Sequence, residues 1–84
     1  MIIDNKFIYK QLENIFQIIL DDDKIKLNKK TTSKDIKAWD SLTHINLILS
    51  IEKKFNFRFL PNDIYNFKNI EDLVIKISQN INEK

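Results

Sequence analysis

The sequence predicts an all-α fold: three main helices, one short helix and one long first loop. Three observations predict it. Glycine is absent and proline occurs once, at Pro61, so helix-breaking residues are almost missing. Apolar side chains recur at helical spacing in three separate stretches. The length, 84 residues, allows one small domain with one core. That domain is expected to span residues 1–84, with its core over 5–82. The lack of glycine also argues against tight β-hairpins, whose turns favour it.

The first helix is predicted over residues 5–20, where Ile8, Leu12, Ile15, Phe16 and Ile19 share a face. Asp4 or Asn5 supplies its N-cap. It should stop near Leu20, because Asp21, Asp22 and Asp23 would oppose the negative end of the helix dipole. Residues 21–40 form the long connection. It is polar, with Ile25, Leu27, Ile36 and Trp39 as anchors that staple it across the helices.

The second helix covers residues 41–55. At about 100° per residue, Leu47, Ile48, Ile51 and Phe55 fall in one sector, and Leu42, Ile45 and Leu49 in the next. So wide an apolar arc has two readings. The helix is wedged between two others, or Ile45 and Leu49 partly face a partner or an apolar chain. Phe57, Arg58 and Phe59 alternate as a short extended link. Pro61 suits the first turn of a short helix running through Phe67. Asn69 caps the last helix, with Glu71 and Asp72 favourable in its first turn and Ile70, Leu73, Val74, Ile77 and Ile81 on its inner face.

Composition excludes several chemistries. With no cysteine, the chain forms no disulfide and does no thiol chemistry of its own. A lone histidine, His44, builds neither a histidine-rich metal site nor a proton relay, and it reads as a surface or half-buried packing residue. Asp21, Asp22 and Asp23 lack the spacing of a calcium loop. Lys and Arg number 14 against 12 Asp and Glu, for a net charge of +2. The positive charge is scattered in small groups such as Lys29-Lys30 and Lys53-Lys54, so binding of nucleic acid is not favoured. No leader-like segment and no apolar run near 18 residues, the usual minimum for a span, is present. The protein is therefore read as cytoplasmic.

The stretch most informative about function is Trp39-Asp40-Ser41-Leu42-Thr43-His44, where the long loop becomes a helix. Ser41 falls at the N-cap or first helical position, beside unpaired backbone N–H groups. An anion attached there meets the positive end of the helix dipole. The plainer reading is that Ser41 or Asp40 is only a cap, since helices commonly begin this way. Asp40, Ser41 and His44 also superficially suggest a hydrolytic triad. The adjacent Asp and Ser side chains diverge, His44 lies one turn onward, and no oxyanion hole is in view.

Asp40-Ser41-Leu42 resembles the Asp-Ser-Leu motif of acyl carrier and peptidyl carrier proteins. The likeness runs on through Trp39 to Phe55, Phe57-Arg58-Phe59, Asp63-Ile64 and Phe67 to Leu73. These resemble that family's second, third and fourth helices in order and spacing, and Phe7 to Leu20 fits its first. The resemblance implies an acyl-carrier-like four-helix bundle. It implies that Ser41 receives 4′-phosphopantetheine from coenzyme A, transferred by a separate phosphopantetheinyl transferase with Mg²⁺. By position Asp40 is the motif acid, assisting recognition or transfer, and Leu42 seats the helix start. Thr43, Ile45, Asn46, Leu49, Glu52 and Lys53 would face partners: the transferase, an acyl- or aminoacyl-loading enzyme and a downstream transferase.

A carrier of this kind is not an enzyme, and it is expected to be a monomer with transient partners, because it must release after each transfer. It needs a thiol to hold cargo as a thioester, and in a cysteine-free chain the cofactor would supply it. Fatty-acid-synthesis carriers are usually strongly acidic along the second helix, whereas here Glu52 is the single acid among Thr43, Asn46 and Lys53. That favours a dedicated pathway over housekeeping fatty-acid synthesis. Trp39 stands where the family often has a small residue. The aromatics Phe16, Trp39, Phe55, Phe57, Phe59 and Phe67 read mainly as core, with some lining a cavity. The competing hypothesis is a small basic helical module that binds nucleic acid or protein without a cofactor.

Overall fold

The computed structural model describes residues 3–82. The expected domain bounds of 1–84 take in Met1, Ile2, Glu83 and Lys84, which lie outside the described residues. Among the described residues there are three α-helices: α1 (Asn5–Ile19), α2 (Ser41–Phe55) and α3 (Ile70–Asn82). Asp4 caps α1, its Oδ1 accepting the Phe7 N–H at 3.0 Å, a contribution of about 1 kcal/mol. Leu20 closes the helix, and Asp21 then turns left-handed at φ 52°. Asn56 does the same after α2 at φ 57°. A chain without glycine uses the two short polar side chains that tolerate this region.

α1 packs against both α2 and α3. The helix flanked on two sides is therefore α1, not α2 as the wide apolar arc suggested. Ile8, Leu12 and Phe16 of α1 meet Leu47, Ile48 and Ile51 of α2 and Ile70, Leu73, Val74 and Ile77 of α3, with Phe59 closing the core. Each such side chain contributes about 1.5–3 kcal/mol of burial. Asn82 joins the two ends of the fold, accepting the Ile3 N–H and donating to the Ile3 carbonyl at 2.8 and 2.9 Å.

The long connection is stapled as its anchors predict. Ile25, Leu27, Ile36 and Trp39 pack against the core. The backbone is tied as well: Gln17 Nε2 donates to the Ile25 carbonyl, and the Leu27 N–H to Glu13 Oε2. The loop also holds a single 3₁₀ turn, Ser33–Asp35, closed by a capping box between Thr32 and Asp35. Carbonyls of Lys29 and Thr31 accept the first amides of α3, from Glu71 and Ile70, at 3.1 and 2.9 Å.

The expected short fourth helix is a single 3₁₀ turn, Pro61–Asp63. Pro61 does begin it, but the next turn does not form because its polar groups are taken elsewhere. The Ile64 carbonyl faces His44 Nε2 at 2.6 Å, and the Lys68 N–H that a helix would send to it bonds Asp72 Oδ2 at 3.0 Å. Asn66 turns its side-chain amide onto the Asn62 carbonyl. The segment is held as a shaped loop between α2 and α3, and Asp63 pairs with Lys76 of α3 at 3.4 Å.

Candidate functional site

Ser41 is the first residue of α2 and is solvent-exposed. Asp40 is the N-cap, its Oδ1 accepting the Thr43 N–H at 2.8 Å. That hydrogen bond is the main reason the Asp40 carboxyl is held below the usual carboxylate range. The cap is thus Asp40, which leaves the Ser41 hydroxyl out of the capping role. Leu42 is 74% exposed, so little of it packs onto the helix start.

A cleft of about 380 Å³ opens beside Ser41. One wall is polar, from Thr32, Ser33 and Asn69. The other is aromatic, from Trp39, Tyr65 and Phe67. Lys68 is the one cation lining it and Asp40 the one acid. Trp39, Asp40, Ser41 and His44 stand together in the sequence, and Phe67 was among the aromatics expected to line a cavity, but Thr32, Ser33, Tyr65 and Lys68 were missed because they come from elements remote in the chain.

His44 shapes this cleft. Its Nδ1 accepts the Trp39 indole N–H at 3.0 Å, which leaves Nε2 as the donor to the Ile64 carbonyl. Its ring stacks on Trp39 and on Tyr65, with centroids 6.0 and 5.0 Å apart. Trp39 in turn packs edge-on against Phe16 of the core. The cleft's aromatic wall is therefore anchored to the core by Trp39 on Phe16 and Phe67 on Phe59, and His44 bridges Trp39, Tyr65 and Phe67 within it. Both His44 nitrogens are engaged away from Ser41, so the triad suggested by Asp40, Ser41 and His44 has no base. Among the described residues no His, Cys, Asp and Glu cluster could hold a metal ion, and no helix is long and apolar enough to cross a membrane.

The remaining candidates lie along α2. Asn46 and Lys53 are exposed, Leu49 is 57% exposed, and Thr43 and Ile45 are half-buried. With Leu42 they make a strip leading away from Ser41. Glu52 has a different part: its Oε2 accepts the Phe59 N–H at 2.8 Å, so its carboxylate holds the link after the helix.

Tested against known proteins, the chain matches no family model. It is 35% identical over 65 residues to an acyl carrier protein of Phytoplasma australiense, covering 77% of this chain and 83% of the relative. Its fold is similar to the solution structure of a holo acyl carrier protein from Geobacter metallireducens. There the TM-score is 0.83 and the identity 36%, over 89% of this chain and 86% of the other. Both similar proteins are named as carriers, which agrees with a non-catalytic role. Sequence and fold thus lead to one conclusion: this chain belongs to the acyl carrier protein family.

Proposed function

We propose that the protein is a discrete acyl carrier whose Ser41 Oγ bears 4′-phosphopantetheine. The observation that carries the reading is the exposed Ser41 hydroxyl at the N-terminus of α2, released from capping by Asp40. The family's carrier role and the holo state named for the Geobacter metallireducens protein support it.

The residues present suit the group. A phosphodiester at Ser41 would lie at the positive end of α2, with Lys68 on the rim of the same cleft. The polar and aromatic walls suit an arm that carries both amides and methyl groups. When bound, the group supplies the thiol that holds an acyl or aminoacyl cargo as a thioester. The chain's own residues do the rest. Asp40 fixes the helix end, Trp39 and His44 hold the cleft wall, and the α2 strip of Leu42, Thr43, Ile45, Asn46, Leu49 and Lys53 offers a docking face. Partners of that face are a phosphopantetheinyl transferase, a loading enzyme and a downstream transferase.

Service in a dedicated biosynthetic pathway of the cytoplasm, apart from fatty-acid synthesis, is favoured by the charge of α2. Its one acid, Glu52, is bonded to backbone, while Lys53 and Lys54 are exposed. The family membership sets this carrier reading ahead of the cofactor-free, nucleic-acid-binding module. The test is incubation with coenzyme A and a broad-specificity phosphopantetheinyl transferase, followed by intact-mass measurement. The expected result is a gain of one phosphopantetheine in the natural chain and none in Ser41→Ala. No gain, or an equal gain in both, would defeat the reading.

A further inference from the structure

A second concave surface lies at the opposite end of α2 from Ser41. The half-buried Ile15 and Ile19 of α1 form its floor with the exposed Ile18 at the rim, and Ser50, Lys53 and Lys54 of α2 form one wall; the hollow measures about 440 Å³. The wall residues are nine to thirteen positions along α2 from Ser41, or about 14–20 Å along the axis. This surface is separate from the cleft beside the serine.

Ile18 is 77% exposed, the most exposed of the large apolar side chains in the described residues. An isoleucine left this exposed beside the half-buried Ile15 and Ile19 extends their apolar strip to the rim of the groove, unlike a scattered surface residue. The charge around it is ordered. Lys53 and Lys54 are exposed and form no ion pair among the described residues. Beyond Ile18 the chain turns into Asp21, Asp22 and Asp23, which with Gln17 line an adjoining hollow. The groove therefore has an apolar floor, a cationic side and an anionic end.

We propose that this groove docks an amphipathic helix of a partner protein. Its apolar stripe lies on Ile15, Ile18 and Ile19, its carboxylates run along the edge facing Lys53 and Lys54, and its positive end sits beside Asp21–Asp23. A helix in a groove is recognised by this combination of an apolar stripe and edge charges. A membrane surface fits less well, because a flat anionic sheet that reached the lysines would also meet the three aspartates. Docking here leaves the Ser41 cleft open and shares only Lys53 with the α2 strip, so a partner can hold the carrier while another enzyme reaches the serine over the Leu42 end of that strip. The proposal does not depend on what Ser41 carries.

The test uses the full chain, isotopically labelled, and two synthetic helical peptides. Both carry a leucine stripe; one has glutamates along its edge and the other lysines. NMR titration should show the glutamate peptide binding at least about tenfold more tightly. The shifted amides should centre on Ile18, Ser50 and Lys54. In a Lys53→Glu, Lys54→Glu double variant the preference should reverse. Ile18→Ala should weaken binding at least about tenfold while its circular dichroism stays that of the natural chain. Equal binding of the two peptides, shifts centred on Ser41, or the same amides moved only by anionic phospholipid vesicles would each overturn the proposal. The peptide result reads the groove and the intact-mass result reads Ser41, so failure of one is distinguishable from failure of the other.

Discussion

Replacing His44 with phenylalanine removes two hydrogen bonds while keeping an aromatic ring. The Trp39 indole N–H loses its acceptor, and the Ile64 carbonyl loses its donor. Both partners are half-buried, so water recovers part of the loss. A cost of about 0.5–1 kcal/mol each, or about 1–2 kcal/mol in all, follows. In a domain of this size 1 kcal/mol moves the melting temperature by about 4–8 °C, so His44→Phe should melt about 4–16 °C lower. His44→Ala also forfeits the stacks on Trp39 and Tyr65 and should lose about a further 0.5–1.5 kcal/mol per ring pair. Thermal unfolding by far-ultraviolet circular dichroism gives both numbers. Trp39 is the chain's single tryptophan, so its fluorescence reports separately on the cleft wall and should shift to the red in both variants. A fall of less than about 2 °C in His44→Phe would place the residue among ordinary surface positions and refute its part as the tie between α2 and the 61–69 loop.

Other consequences are as direct. Asp40 is held below the usual carboxylate range by the Thr43 N–H, so its ionised form stabilises the fold. That stabilisation is fully present above the ordinary carboxylate value and is lost as pH falls through the lower folded value. Asp40→Asn does not titrate, so its denaturation midpoint should fall less than the natural chain's across that acid window; parallel curves would contradict this. Leu42→Ala and Leu49→Ala change side chains that are 74% and 57% exposed. Stability should stay within about 0.5 kcal/mol, whereas the rate of phosphopantetheine transfer to Ser41 should drop if the strip docks partners. A stability loss above about 1 kcal/mol in the exposed Leu42→Ala would show that the side chain seats the helix start after all.

The helices were legible because each is written locally. Apolar spacing of 3.6 gives α1, α2 and α3 their inner faces, Asp21 ends α1, and Asn69 caps α3 through its Oδ1 on the Asp72 N–H. What local pattern hides is pairing at a distance. Pro61 correctly marks a turn, but nothing near it shows that the Ile64 carbonyl is bonded by a histidine twenty positions earlier, or that Asp72 takes the Lys68 amide. Those two bonds are why a turn stands where a helix was expected. The same distance effect hid half of the cleft. Ser41 and Asp40 stand out at a helix start, whereas Thr32, Ser33, Tyr65 and Lys68 reach the serine only once the loop is folded down. Of the two readings of α2's apolar arc, the helix wedged between two others does not hold, since α1 takes the central place; Leu42 and Leu49 lie in solvent, where the partner-facing reading needs Leu49 to be.

Two exposed serine hydroxyls at the cleft could carry the arm. Ser33 lines the same cleft as Ser41 and is also exposed, so it is the natural competitor. After enzymatic loading from coenzyme A, proteolysis and tandem mass spectrometry would locate the modified side chain. Fragments that place the whole added mass on Ser41, with Ser33 and Ser50 unmodified, are the predicted outcome. Added mass on Ser33, or on any residue outside the start of α2, would contradict it.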